Sequence, residues 1–526
     1  MNRKEFLITV CFFLSVTGSA AAGGKDILRF SMYGDAMGSA EQGSLDPLRS
    51  YQLLYFNLQH QIFETLVGID FNTQKIIPVL AVKWEQLDEK SVRFHLRRGV
   101  TFHNGEPFTA RSVAFTIQLL KDPRKRFAGR FLIDSIAATH IVDDYTIDII
   151  LHYRDVLLLR KFASIVFIMP PGYYRKVGDE NFTRFPIGTG PFRFFYNEAD
   201  ESGVKEIHLV ANEDYWIEDV PQLKELVYVF LPREKQWQAL ESGDINLLIT
   251  QHAGFDKQLL GNEQFKIFTR KSLRSSFCLL NIDKEGPLQD LRIRRALQHA
   301  VRRNNIIKNP LQGYGVPMYS SAPAQALACS ANLPVYKEDP ALSRSIIEKS
   351  GYPQGFTLKV MASNSRPSID IVKTLKKQFE KAGVALDVYY LSREEIFDEV
   401  IAPKLKDIKK VSSFDMWVIN GWPNIFGAGA YIYFIFLHSH GMFNFGTYGD
   451  KASPIDEYYT KVINSENKKI FCAELQKLDK YIIDQSLIIP LYQPEIIYGM
   501  NKKVNFDPAL NDLPLRLWEC SLDTKN

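Results

Sequence analysis

The pattern that most restricts the fold lies between residues 356 and 419, where strand and helix signals alternate. Phe356–Ala362 predicts a strand, and apolar residues at helical spacing from Ile371 to Phe379 predict the helix that follows. Ala385–Tyr390 and Phe414–Ile419 predict two further strands. A strand–helix–strand–strand order requires crossover connections, so it indicates a parallel sheet flanked by helices. The expected fold class is therefore α/β.

Strand patterns also occur in the first half of the chain, at Ile27–Met32, Val92–Leu96 and Tyr145–Leu151. A helix is expected near Leu54–Leu66, and the last apolar strand, Leu487–Tyr492, comes late enough to return to an earlier sheet. A chain of 526 residues is too long for one hydrophobic core, so two or three folded units are expected. The formal charge of +4 is too small for a nucleic-acid-binding surface, and no nucleic-acid partner is expected.

The N-terminus has the layout of a secretory signal peptide. Asn2-Arg3-Lys4 is basic, Phe6–Val16 is apolar, and small residues from Gly18 to Ala22 provide a cleavage site. We expect residues 1–22 to be removed and the mature chain to be periplasmic. The apolar run is too short for a permanent membrane anchor, and no later stretch predicts a membrane span.

Four cysteines remain after such cleavage: Cys278, Cys329, Cys472 and Cys520. An even number in an exported chain allows one or two disulfides, while four buried thiols are an equally reasonable outcome. The spacing leaves the pairing open.

Catalytic and metal-binding patterns are weak in this sequence. There is no Gly-x-Ser-x-Gly nucleophile turn and no phosphate-binding loop, and Gly188-Thr189-Gly190-Pro191 is interpreted as a tight chain reversal. His438 and His440 are close in sequence, but without a third ligand a packed or solvated pair is favoured over a metal site. We therefore expect no enzymatic activity, no metal and no cofactor.

The stretch Met416–His440 is rich in aromatic residues and glycine and follows a predicted strand. Open α/β sheets usually bind ligands at the ends of their strands. Trp422 stands between Gly421 and Pro423, which predicts a loop beyond the strand end and favours a role in a ligand cleft. Packing in the domain core is the alternative for any of these rings.

Two blocks, Leu80–Glu85 and Val92–Ala110, strongly resemble a signature of the extracellular solute-binding proteins of peptide and nickel ABC importers, family 5. Further marks of that family follow in the expected order along nearly the whole mature chain: Pro186–Phe192, Asn212–Trp216, Ala239–Ile245, Pro287–Leu297 and Ile489–Tyr492.

The resemblance implies a periplasmic-binding-protein-like, two-lobed clamshell of type II with an additional small domain. The domain boundaries it implies are 23–70, 187–275 and 488–526 for lobe I, 71–186 for the additional domain, and 276–487 for lobe II. It further implies that a monomer captures oligopeptides between the lobes and delivers them to membrane permease subunits. A receptor or adhesion scaffold of the same fold is the alternative from another functional class.

One departure from the family concerns the ligand. In peptide binders of this family an aspartate shortly after a glycine–tryptophan pair receives the amino terminus of the peptide. Here Gly421-Trp422 is followed by Pro423–Phe426, which contains no carboxylate. Either Asp35 or Glu41 supplies the acid, or the ligand is a blocked, cyclic or long peptide or a non-peptide molecule.

The candidate ligand-binding residues lie after predicted strands or at the crossing between lobes. They are Trp422, Asn424, Asn420, Tyr492, Tyr33, Arg274, Ser275 and Asn281.

Overall fold

The computed structural model of the protein describes most of the chain after the predicted leader. The described residues are 26–32, 44–48, 53–125, 130–200, 203–251, 261–326, 329, 333–405, 412–444, 446, 454–508 and 514–523.

The first part of the chain contains two strands, which belong to two different sheets, and the helix between them. Its elements are β1 (Ile27–Met32), α1 (Leu53–Ile62) and β2 (Val67–Asp70). The predicted strand 27–32 is confirmed. The predicted helix is shorter than expected and ends at Ile62 instead of Leu66, because the chain already pairs as a hairpin from Val67 onward.

The next part forms a small antiparallel sheet covered by helices. Its elements are β3 (Lys75–Pro78), β4 (Ala81–Asp88), β5 (Ser91–Leu96), α2 (Ala110–Lys121), β6 (Ile136–Asp143), β7 (Thr146–Leu151), α3 (Leu158–Ile165) and α4 (Pro171–Arg184). Four strands pair in the order β4-β5-β7-β6. In β5 the alternating residues Val92, Phe94 and Leu96 are buried, as a half-buried strand requires.

The third part extends the sheet begun by β1. Its elements are β8 (Phe192–Asp200), β9 (Gly203–Ala211), β10 (Glu225–Val229), α5 (Arg233–Ser242), β11 (Leu247–Thr250) and β12 (Phe265–Lys271). Strand β1 lies between β10 and β11 and is parallel to both.

The fourth part contains the predicted parallel arrangement. Its elements are β13 (Arg274–Leu280), α6 (Leu291–Ala300), α7 (Arg303–Lys308), β14 (Gly315–Pro317), α8 (Pro340–Lys349), β15 (Phe356–Ser363), α9 (Arg366–Lys381), β16 (Val384–Leu391), α10 (Arg393–Ile396), α11 (Ala402–Leu405), β17 (Met416–Pro423), α12 (Ala430–Leu437), α13 (Pro454–Ile463) and α14 (Lys468–Asp484). Strand β15 is parallel to β16 and to β17, so the predicted parallel pairing is confirmed.

The chain then forms β18 (Ile488–Asn501), β19 (Val504–Asn505) and β20 (Ser521–Leu522). Strand β18 is longer than the predicted 487–492 because it serves two sets of neighbours. Its first residues pair with β13 and its later residues pair with β11 and β12. Within the described residues it thereby joins one twelve-stranded sheet, whose main path runs β16-β15-β17-β13-β18-β11-β1-β10-β9-β8.

Strand β18 begins at the predicted boundary before residue 488, whereas the β2–β3 hairpin spans the boundary predicted after residue 70. The full set of domain boundaries stays a prediction.

The glycine-rich turn at Gly188 and Gly190 lies against the end of α1. A Cβ atom on Gly188 would lie 2.1 Å from the carbonyl oxygen of Ile62, and the amide of Gly190 donates to that same oxygen at 2.8 Å. His103 Nε2 and Asn212 Nδ2 both contact the carbonyl oxygen of Gly190, at 3.0 and 3.1 Å. Three sequence marks therefore meet at one structural junction, and the predicted chain reversal needs glycine because backbones approach closely there.

The tyrosine–tryptophan step at residues 215–216 is anchored by a buried carboxylate. Tyr215 Oη and Trp216 Nε1 donate to Glu64 Oε1 at 2.8 and 3.0 Å. Burial raises the pKa of Glu64 to about 7, and these hydrogen bonds oppose the rise. The step therefore fixes the end of α1 against the strands that follow it.

Cys329 and Cys472 form a disulfide that ties the segment before α8 to α14. Cys278 and Cys520 are buried free thiols. Of the alternatives left open by the sequence, the structure therefore has one bridge and two thiols. No helix in the described part of the chain combines the length and apolarity needed to cross a bilayer.

Candidate ligand-binding site

Three neighbouring strands bring several of the predicted site residues together. Strand β13 lies between β17 and β18, with Ser275 opposite Trp422 and Ser276 opposite Tyr492. Residues directly opposite on antiparallel strands have side chains on the same face. The two pairs lie near the point where β18 stops pairing with β13 and begins to pair with β12 and β11.

Trp422 is in β17 itself and not in a loop beyond the strand end, so that expectation was wrong. The strand continues because Gly421 adopts a φ of +62°, which glycine tolerates, and because β17 has one extra residue between Ile419 and Trp422 relative to β13. The side chain of Gln251 lies beside Gly421, where an added Cβ would be 3.1 Å from its Oε1 atom.

The Trp422 ring belongs to an aromatic cluster. Its centroid lies 4.9 Å from that of Phe436 and 4.7 Å from that of Phe443, both edge-to-face. Phe436 is in α12, whose eight residues are all buried, which is typical of a helix enclosed by the protein. Trp422 itself is only partly buried.

Polar groups accompany this cluster on the same strands. The Tyr492 hydroxyl donates to Asn420 Oδ1, and Ser276 Oγ lies 3.4 Å from that oxygen. Ser276 Oγ also accepts a hydrogen bond of 2.8 Å from the amide of Gly421. Burial raises the pKa of Tyr492, so its hydroxyl stays protonated and acts as a donor at neutral pH.

Arg274 places a cation beside the same strand pair. Its side chain is buried, and Nη1 lies 3.5 Å from the carbonyl oxygen of Gly421. Burial lowers the pKa of Arg274 to about 9, which leaves it charged at neutral pH. A buried cation at this position favours anionic or strongly polar oxygen atoms nearby.

Asn424 follows β17 and is fully buried. Its Oδ1 atom accepts a hydrogen bond of 3.1 Å from the amide of Ala428, which fixes the orientation of the amide group. Its Nδ2 atom has no hydrogen-bond partner in the described part of the protein, and the same holds for Ser275 Oγ. The hydroxyl of Tyr431 lies near the Trp422 indole.

Helix α3, from the part of the chain with the small sheet, binds the loop that contains Asn424. Arg160 Nη1 donates to the carbonyl oxygen of Phe426 at 2.8 Å, and Ser164 Oγ donates to that of Ile425 at 2.9 Å. Arg160 Nη2 also donates to the carbonyl oxygen of Gln74 at 2.7 Å. We call Arg160 and Ser164 the α3 clamp.

Gly427 is required by this clamp. Its φ is +60°, and an added Cβ would lie 2.8 Å from Gln74 Oε1 and 3.0 Å from Arg160 Nη1. A larger residue would therefore strain the backbone and displace the clamp.

Comparison with known proteins identifies the family. The family described as "Bacterial extracellular solute-binding proteins, family 5 Middle" matches residues 75–443. The chain belongs to this family. Family 5 proteins bind solutes, which agrees with the expectation that the chain is not an enzyme.

Two relatives and one solved structure illustrate the range of this family. The chain is 26% identical to heme-binding protein A of Haemophilus influenzae over 353 residues, which covers 62% of this chain and 63% of that protein. It is 26% identical to the dipeptide-binding protein of Escherichia coli over 325 residues, 57% of this chain and 60% of that one. The chain thus spans less than two thirds of the length of these relatives.

The solved structure is the periplasmic binding protein DppA from Helicobacter pylori in complex with the peptide STSA. The TM-score is 0.81 at 21% identity, over 95% of this chain and 98% of that chain. This likeness confirms the two-lobed type II fold that the sequence predicts.

Within the family 5 fold, two predicted site residues lie away from Trp422 or outside the described residues. Asn281 lies beyond the other end of β13, where Nδ2 donates to the carbonyl oxygens of Ser412 and Phe414. Those bonds give Asn281 a structural role, because they join the end of β13 to the segment before β17. Tyr33 is outside the described residues, as are Asp35 and Glu41.

Asp415, the carboxylate that precedes Trp422 on the same strand, is occupied. It accepts from Lys284 Nζ at 2.7 Å and from the amide of Lys359 at 2.7 Å. It therefore stabilises the start of β17 and is not directed at the Trp422 end.

Two clusters elsewhere resemble metal sites in composition. Ligand atoms of Glu198, Glu206 and His208 lie within 4.8 Å of one another, but Glu206 pairs with Arg29 and His208 Nδ1 pairs with Glu225 at 2.6 Å. His438 Nδ1 accepts from the amide of His440, consistent with the packed or solvated pair expected from the sequence. Hydrogen bonds and ion pairs within the protein account for both clusters.

Sequence reasoning missed several residues around the site. Ser276, Gln251, Phe443 and the α3 clamp all contact the segment from Gly421 to Phe426. Ser276 could have been found from its place next to Ser275, because the pair enters the crossing strand together. Arg160 had no local signal, since 266 residues separate it from Phe426.

Proposed function

We propose that this protein is the extracytoplasmic substrate-binding component of an ABC importer and captures oligopeptides at the Trp422 end of β17. The observation that carries the proposal is the meeting of β13, β17 and β18, which places the partly buried Trp422 on neighbouring strands with serine, tyrosine and asparagine side chains. An aromatic wall with a few polar groups is the usual composition of a small-molecule cleft.

The relatives support this proposal in their printed descriptions. One binds dipeptides and one solved structure holds the peptide STSA, while another relative binds heme. The N-terminal sequence pattern supports export to the periplasm, and membership of family 5 supports delivery to membrane permease subunits. A monomer with two lobes closing on the ligand is the form expected for this task.

Binding to peptide pools tests the proposal. The mature protein is titrated by calorimetry with pools of random tetrapeptides, and we expect saturable binding in the micromolar range or tighter. Trp422→Ala should weaken it at least tenfold, because a ring that contacts the ligand contributes more than about 1.4 kcal/mol.

Trp417→Phe is the matched control for packing. Trp417 contacts the same two phenylalanines, at 5.8 and 6.2 Å, but is buried. It should lower the melting temperature and leave peptide affinity within threefold of the native value. Unchanged affinity in Trp422→Ala would show that the cleft lies elsewhere.

A further inference from the structure

Helix α9 has a row of positive charges on its exposed side. Lys373, Lys377 and Lys381 are exposed and lie four residues apart, which places them on one face of the helix. Lys376 is exposed one residue before Lys377. Within the described residues, the ion pair of α9 lies near its start, and none of these four lysines has a carboxylate partner.

The stability of the helix does not account for this row. Like charges four residues apart destabilise a helix slightly, and the helix dipole favours cations only within the last turn, where Lys381 lies. By contrast, Lys461 of α13, and Lys477 and Lys480 of α14, each pair with a carboxylate three or four residues away. The row on α9 is therefore a surface feature that folding does not require.

An open groove extends the positive surface from α9 to the segment that contains α7. The groove has a volume of about 750 Å³, and its lining includes three cations, two asparagines and a single carboxylate: Arg302, Lys377, Lys381, Asn305, Asn309 and Glu380. Arg302 also pairs with Glu338, in the segment before α8. Ammonium and guanidinium groups only donate hydrogen bonds, which complements oxygen-rich anions such as phosphate groups. We call Arg302 and the four lysines of α9 the α7–α9 surface.

The shape of this surface fits a broad partner. Lys373 and Lys381 are about 12 Å apart along the helix axis, since each residue of a helix rises 1.5 Å. The groove is open, so its cations face outward and can meet several anionic groups of a flat surface at once. The formal charge of the whole chain is only +4, so the attraction depends on this local concentration of cations.

We infer that the α7–α9 surface binds the anionic phospholipid surface of a membrane. Clusters of about four to eight lysine and arginine residues are typical of proteins that bind anionic lipids, and this surface has a cluster of that size. Such binding holds the protein beside the membrane in which an importer lies. It is separate from peptide capture, because none of these residues belongs to the Trp422 site.

Co-sedimentation with vesicles tests this binding. The protein prepared without residues 1–22 is mixed with vesicles of phosphatidylcholine and phosphatidylglycerol at about 7:3 and, separately, with vesicles of phosphatidylcholine alone. We expect binding to the anionic vesicles only, with release at an ionic strength of about 1 M, where the Debye length is about 3 Å. Equal binding to both kinds of vesicle overturns the inference, and so does binding to neither.

A triple variant of α9 tests whether this surface is the one that binds. Lys373→Gln, Lys377→Gln and Lys381→Gln together remove the row. A lysine near an anionic membrane strengthens binding about fivefold, so the affinity for anionic vesicles should fall about thirtyfold or more. The melting temperature should stay close to the native value, because the three side chains are exposed. Unchanged vesicle affinity overturns the inference.

The matched control removes the same charge from paired positions. Lys461→Gln, Lys477→Gln and Lys480→Gln are combined in one chain, and its affinity for anionic vesicles should stay within about threefold of the native value. An equal loss in both triple variants would mean that net charge alone attracts the protein, which overturns the inference. Peptide capture is measured separately, and its failure would leave the vesicle result unaffected.

Discussion

Arg160 Nη1 lies 2.8 Å from the carbonyl oxygen of Phe426, although 266 residues separate the two in the chain. The bond joins α3 to the loop that follows Trp422. The guanidinium is buried and also donates to the carbonyl oxygen of Gln74, so it fixes this loop to another segment of the chain. Asn424 fixes the same loop internally, because its Oδ1 atom accepts from the amide of Ala428. The segment proposed to face the ligand is therefore positioned by a part of the chain that contributes no side chain to the proposed cleft.

Arg160→Leu should release this loop. Each lost hydrogen bond to a charged donor costs about 1.5–3 kcal/mol, so amide hydrogen exchange of residues 424–428 should accelerate and peptide affinity should fall about tenfold. Arg124→Leu is the control, because its side chain is 86% exposed and, among the described residues, pairs only with Asp122 in its own turn. Native exchange rates in the 424–428 peptide would contradict the role of Arg160.

Glu64 makes stability depend on pH in a defined direction. Its pKa is raised from 4.5 to about 7 in the folded protein, so the stability it contributes is present below pH 4.5 and is lost as the pH rises through about 7. Glu64→Gln keeps the oxygen that accepts from Tyr215 and Trp216 and removes the titration. Its stability relative to the native protein should rise between pH 5 and pH 8 by an amount on the order of 3 kcal/mol.

Urea unfolding at several pH values measures this difference. Glu213 is exposed and lies in the turn that contains Tyr215 and Trp216, and Glu213→Gln should show no such change. A constant difference between Glu64→Gln and the native protein across this range would mean that Glu64 is ionised throughout.

His208 should make the folded protein lose stability at alkaline pH. Burial alone would lower its pKa, but the carboxylates of Glu206 and Glu225 outweigh this and raise the pKa to about 9. The contribution is therefore complete below pH 6.5 and lost as the pH rises through about 9. His208→Gln should lower the melting temperature at pH 6.5 and converge with the native protein above pH 9, whereas exposed His152→Gln should match the native protein throughout.

The cysteine arrangement predicts an alkylation pattern. Unfolded without reductant, the protein prepared without residues 1–22 should take up two iodoacetamide groups, at Cys278 and Cys520, and four after reduction. Because the bridge closes a loop of 143 residues, reduction should destabilise the fold by about 4–5 kcal/mol in the chain-entropy view. Four adducts without reductant would show that Cys329 and Cys472 are not bonded.

Local patterns were enough to predict most of the fold. The strand at 27–32 and the parallel pairing of β15 with its neighbours follow from apolar spacing, which depends only on nearby residues. The length of β18 could not be predicted, because its second half is extended by pairing with strands more than 200 residues earlier in the chain.

The candidate site shows the same division. The aromatic character of 416–440 was visible in the sequence, but the place of Trp422 within a strand depends on the extra residue of β17 between Ile419 and Trp422. The unpartnered donor of Asn424 depends on which of its two atoms meets Ala428, and only three-dimensional structure gives that. The α3 clamp depends on a contact between segments far apart in the chain, so no local pattern in the sequence indicates it.

Strand β18 has a consequence for how this protein folds. It follows every other strand of the large sheet in the chain, yet it lies in the middle of that sheet, between β13 and β11. The sheet therefore cannot close until β18 has been inserted between strands formed long before it, and such non-local pairing is slow. Until then the edges of β11 and β13 are open to wrong partners. A truncation before residue 488 should leave two sheets with open edges that aggregate, so the insertion of β18 is the step that protects the folding chain.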